Sequence, residues 1–116
     1  MISSIAFIMY PVTNMQRANE FYRDALGLTE GELSNEHWKE FQIGEGTFGI
    51  GDFAQVGTAG TAQSLALEVA DLSAFIEDLS RRGIEATEPH DLPFCKISVV
   101  HDPDGNQIWL HQSKPR

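Results

Sequence analysis

The residues best suited to chemistry are few and scattered. Glu68 and His111 are proton carriers of the kind used in acid–base catalysis. Glu40 adds a carboxylate, and Cys95 is the chain's single thiol. Together Glu40, Glu68, Cys95 and His111 offer donors suited to Fe, Zn or Mn. Two chemistries follow: acid–base work by Glu68 and His111, or a metal site drawn from the four. Trp109, Phe7 and Met9 can equally pack a core or wall a cavity, where they would offer apolar contact, cation–π attraction and polarizable packing. His37, His90 and His101 fall in connecting segments and read as surface residues. Asp102, Asp104 and Asn106 lack the terminal Glu of a calcium loop, so turn chemistry accounts for them.

Strands and helices must hold these side chains. Ile5 to Val12 reads as a buried strand, and Asn14 caps a helix carrying Met15, Ala18, Phe21, Tyr22, Ala25 and Leu26 at helical spacing, with Gly27 as its stop. Ala62 to Val69 reads as a second such strand, followed by Asp71 as cap, by Leu72, Phe75, Ile76 and Leu79 on one face, and by Gly83 as stop. Three strands continue each half, over 28–33, 38–43 and 47–53, and over 84–88, 95–100 and 106–112. Gly44-Glu45-Gly46 and Asp102-Pro103-Asp104-Gly105 supply tight turns.

The halves repeat one plan. Val12 matches Val69 and Asn14 matches Asp71 at an offset of 57, whereas Gly27 matches Gly83 at 56, so the second helix is one residue shorter. Gly46 matches Gly105 at 59. Two βαβββ units follow, each too small to bury its own sheet face. With Val12-Thr13-Asn14-Met15-Gln16-Arg17-Ala18 leading into Phe21-Tyr22-Arg23-Asp24-Ala25-Leu26-Gly27-Leu28, and Asp102-Pro103-Asp104-Gly105-Asn106 entering the last strand, nearly the whole chain resembles the vicinal oxygen chelate superfamily. That superfamily includes glyoxalase I, extradiol dioxygenases and the fosfomycin- and bleomycin-resistance proteins. The resemblance implies an α+β fold of two tandem βαβββ modules, forming a curved, cavity-enclosing mixed sheet with helices on the convex side. Its modules span about 1–53 and 64–116, joined by a connector over about 54–63.

Strand parity separates Ile8, Tyr10 and Val12 from Phe7, Met9 and Pro11, and Leu65, Leu67 and Val69 from Ser64, Ala66 and Glu68. The apolar sets belong under the helices; Phe7, Met9, Ser64 and Glu68 belong on the concave face, with Trp109 and His111 beside them. Metal-binding proteins of the resembled family take ligands from four concave positions, and the resemblance carries these onto Phe7, Ile50, Ser64 and Trp109. None is a useful ligand. No metal is therefore expected at the usual positions, and a relocated site would draw on Glu40, Cys95 and His111, with Glu68 near.

Composition narrows the partners. The net charge is −9, from 8 Lys+Arg and 17 Asp+Glu, which disfavours nucleic acid and anionic membrane surfaces. No leader or membrane span is expected, and a lone cysteine fits a reducing cytoplasm. The expected protein is a cytoplasmic homodimer that binds a small, aromatic or cationic molecule through Phe7, Met9, Ser64, Glu68, Trp109 and His111, without a cofactor. The alternative is a lyase, isomerase or dioxygenase using a divalent metal, or His111 and Glu68 as an acid–base pair.

Overall fold

Both helices begin where their caps predict. In the computed structural model, which describes residues 1–115, the Asn14 side chain accepts from the Arg17 N–H and the Asp71 side chain from the Ala74 N–H. Helix α1 spans Met15–Asn19 and passes into a π-helical stretch, Glu20–Ala25; helix α2 spans Leu72–Arg81. The π stretch, in which the Leu26 N–H reaches the Phe21 carbonyl, takes up the residue by which the first helix exceeds the second. It also leaves Phe21 and Tyr22 both buried. Gly27 and Gly83 end the two helical segments at φ 76° and 80°, backbone angles that a side chain would strain.

The architecture is α+β, with two βαβββ modules in tandem. The first sheet contains β1 (Ile8–Pro11), β2 (Thr29–Asn35), β3 (Trp38–Ile43) and β4 (Gly46–Gly51) in the order β1-β4-β3-β2. The second contains β5 (Leu65–Glu68), β6 (His90–Asp91), β7 (Cys95–His101) and β8 (Gln107–Ser113) in the order β5-β8-β7-β6. Each sheet is mixed: β1 and β4 are parallel, as are β5 and β8, and the remaining pairs are antiparallel.

Two compact units emerge, Met1–Ala62 with Pro103–Asn106, and Gln63–Asp102 with Gln107–Arg116. The turn after β7 thus belongs to the first unit, for a reason visible in its bonds. Wholly buried Asn106 donates to the Pro11 carbonyl at 2.7 Å and accepts from the Gly60 and Ala62 N–H groups at 2.9 and 3.1 Å. Asp104 accepts from both the N–H and the hydroxyl of Thr13.

In the first unit Tyr10, Tyr22, Phe41, Phe48 and Ile50 form the core. In the second, Leu65, Leu67, Leu72, Leu79, Val100, Ile108 and Leu110 do so. The strand expected over Ile5 to Val12 forms only over Ile8–Pro11, and Ile5 and Ile8 are exposed. Ile50 lies opposite Tyr10 and is wholly buried, so it packs in the core; Gly49, opposite Met9, takes the other face. The two β hairpins differ by one residue, which breaks the offset taken from the glycines. Residues 84–88 also form no strand. The Thr87 N–H bonds to the Val99 carbonyl and its hydroxyl accepts from the Val99 N–H, and pairing resumes only at His90–Asp91.

Candidate functional site

Hairpin register settles which side chains of the second unit share the face opposite α2. Trp109 stands between Ala66 on β5 and Val99 on β7, and His111 between Glu68 and Ile97. Cys95 is paired with Ser113 and His90 with Ile97, so both belong to the same face. Ile108, Leu110 and Val100, of opposite parity, are buried. Trp109 is 41% exposed although its strand neighbours are wholly buried, an arrangement that leaves a large ring available.

A cavity of about 300 Å³ lies against that ring, lined by Thr87, Glu88, His90, Leu92, Ile97, Val99 and Trp109. Its floor is apolar, and Glu88, His90 and Thr87 bring polar groups. Such a lining suits a small molecule with an apolar body and a few polar atoms. His90, read as a surface residue from sequence, contributes to this wall. Counting pairs outward from the turn at 102–106 would have found Val99 and Ile97, because a hairpin fixes the opposing residues.

Beside the cavity, Glu68 and His111 meet. Glu68 Oε1 is 2.6 Å from His111 Nδ1, and its Oε2 accepts from the Ser113 N–H at 2.8 Å. These bonds, the Ser113 N–H first and His111 second, hold the Glu68 carboxyl below its usual value of 4.5. An ionised carboxylate only accepts, so Nδ1 of His111 must donate. That fixes the tautomer and leaves Nε2 as an acceptor when the ring is neutral. Ser64, just before β5, is exposed and has no such partner among the bonds found at the pair.

Phe7, Met9 and Glu40 lie in the first unit. Met9, Gly49 and Glu40 are paired in turn across β1, β4 and β3, so they share a face, and Phe7 packs edge-on against Trp38 with centroids 5.4 Å apart. Glu40 Oε2 accepts from the Trp38 indole N–H at 2.9 Å. The donor set Glu40, Cys95 and His111 is therefore spread over two sheets. Among the described residues no three His, Cys, Asp or Glu side chains form a group that could hold a metal ion. A larger cavity of about 450 Å³, lined by Glu30, Gly31, Glu32, Leu33, Glu40 and others, is more acidic. Arg23 and Lys39 already neutralise Glu30 at 3.1 and 3.2 Å.

The fold and motifs agree with comparison to known proteins. The model of the Glyoxalase/Bleomycin resistance protein/Dioxygenase superfamily matches residues 4–110, and the chain belongs to that superfamily. Similar proteins include the uncharacterized protein YraH of Bacillus subtilis (strain 168), 30% identical over 117 residues, covering 87% of this chain and 91% of YraH. Among solved structures, TnmS3, an antibiotic binding protein from Streptomyces sp. CB03234, is 25% identical with a TM-score of 0.84, over 97% of this chain and 98% of TnmS3. A glyoxalase/bleomycin resistance protein from the same Streptomyces strain is also 25% identical, with a TM-score of 0.79 over 94% and 100% of the two chains.

Proposed function

We propose that the protein binds a small planar aromatic molecule, preferably a cation, in the cavity beside Trp109, and performs no bond chemistry on it. The observation that carries this is the exposed Trp109 ring over an apolar floor of Val99, Ile97 and Leu92. Stacking on indole rewards a planar ligand, and Glu68, Glu88 and the net charge of −9 favour a positive one. That TnmS3 is an antibiotic binding protein supports a binding role on this fold. The protein acts in the cytoplasm as a homodimer in this reading.

The residues at the family's metal positions do not fit a divalent ion. Phe7 and Trp109 carry no suitable donor, Ile50 is in the core, its neighbour Gly49 has no side chain, and Ser64 adds one hydroxyl.

A second reading, proton transfer by His111, is favoured by the 2.6 Å contact with Glu68. A carboxylate that orients an imidazole is the arrangement a general base requires. The two readings separate experimentally. Thermal shift with planar aromatic amines and their uncharged counterparts should show stabilisation that Trp109→Ala removes and His111→Gln preserves. Absence of any stabilisation, or stabilisation that survives Trp109→Ala, would overturn the binding reading. Loss on His111→Gln alone would favour the second.

A further inference from the structure

The first sheet presents a flat floor already covered by a ring. On the face shared by Met9 and Glu40, β4 contributes Gly49 and Gly51. A Cβ at Gly49 would collide with Cζ2 and Cη2 of Trp38; one at Gly51 would stand 2.8 Å from Val56 Cγ2 and 3.0 Å from both Phe53 Cε1 and Trp38 Cε3. The Gly49 approach is far closer than non-bonded carbons tolerate, so there the indole occupies space that only glycine leaves free; at Gly51 the ring shares a tight contact with Val56 and Phe53. The ring straddles both glycines. Phe7 packs at 5.4 Å on one contact and Phe53 at 6.1 Å on another, and the indole N–H is bonded to Glu40.

This is the set of contacts a bound planar heteroaromatic would make: a flat floor, aromatic flanks and one carboxylate receiving one N–H. We propose that this face is a latent binding site for a planar aromatic molecule with a single N–H donor, held closed by Trp38 as its own occupant. Removing the indole opens an apolar recess and leaves Glu40 without its donor. The recess takes a molecule of indole's shape and chemistry, as engineered apolar cavities take molecules matching the group removed. In the intact chain Trp38 excludes such ligands from the first sheet. The proposal does not depend on binding beside Trp109, which involves another sheet.

Indole is the probe, and the amide signals of Gly49 and Gly51 in ¹⁵N-labelled protein are the readout, because they report this floor alone. In Trp38→Ala, indole should shift both signals saturably and raise the melting temperature. N-methylindole, with the same rings but no N–H, should bind about ten-fold more weakly or worse, the cost of facing an unpaired carboxylate. The intact chain should show no shift at either glycine. Silence of both glycines in the folded variant would overturn the proposal, and equal binding of N-methylindole would overturn its N–H specificity.

If Trp38→Ala folds only when indole is added, that rescue supports the proposal. If it stays unfolded, Gly49→Ala in a Trp109→Phe background decides. The added methyl should expel the ring, shifting the remaining tryptophan's emission to the red and raising its quenching by acrylamide. Unchanged emission and quenching would overturn the proposal.

Discussion

Glu68 Oε1 and His111 Nδ1 lie 2.6 Å apart on the neighbouring parallel strands β5 and β8. The contact follows from register, since residue 68 pairs with residue 111 and both side chains leave the sheet on one face. The Ser113 N–H holds the second carboxylate oxygen, so the carboxylate and the imidazole fix each other's orientation.

Acid should weaken this arrangement. The Glu68 carboxyl is lowered in the folded chain, so its stabilising effect is complete above the unfolded value near 4.5 and is lost as pH falls through the lower folded value. Asp91, lowered by Lys114, and Glu30, lowered by Arg23 and Lys39, act in the same direction. Urea melts between pH 6 and pH 3 should show stability falling below about pH 4.5. Glu68→Gln should flatten that acid limb, and an unchanged limb would mean the Glu68 bonds add nothing to folding.

Asn106 should matter far more to stability than any exposed charge. Replacement by Ala strips partners from the Pro11 carbonyl and from the Gly60 and Ala62 N–H groups. The Pro11 carbonyl is buried, whereas the Gly60 and Ala62 N–H groups are partly open to water, so Asn106→Ala should lose roughly 1–3 kcal/mol and several degrees of melting temperature. Asn106→Asp should do no better, because it sets an oxygen against the Pro11 carbonyl. Calorimetry checks both.

Metal analysis bears on the enzymatic alternative. After reconstitution with Fe, Mn, Ni and Zn and removal of excess ion, the protein should retain well below one equivalent of each. Near-stoichiometric retention that His111→Gln or Glu40→Gln abolishes would establish a relocated centre.

Association is a separate expectation. Ile2, Ile5, Leu33 and Phe94 are strongly exposed, which is costly for a lone chain in water. Light scattering at micromolar concentration should give about twice the 12.9 kDa chain mass. A clean monomer would contradict the dimer.

Local signals were legible in the sequence, whereas contacts between strands were only partly so. Asn14, Asp71, Gly27 and Gly83 act on backbone groups within a few residues, and all four stand where their chemistry put them. Parity likewise sorted Tyr10 and Leu67 from Met9 and Glu68. Ile50 went wrong because a glycine match across two unequal turns slips by one residue, which reverses a side chain's face. Residues 84–88 look strand-like, but Thr87 satisfies Val99 with its own side chain. The Trp38 floor depended on two absent side chains beneath a ring from the next strand, a coincidence that no single segment encodes.

The most direct test of ligand binding is a ¹H–¹⁵N titration of the intact chain with 9-aminoacridine, a planar aromatic cation, observing the two indole N–H signals. The Trp109 signal should move saturably toward one ligand per chain, with the Trp38 signal unmoved and the response absent in Trp109→Ala. Saturable binding that leaves Trp109 unmoved, or no binding at millimolar ligand, would contradict a site beside Trp109.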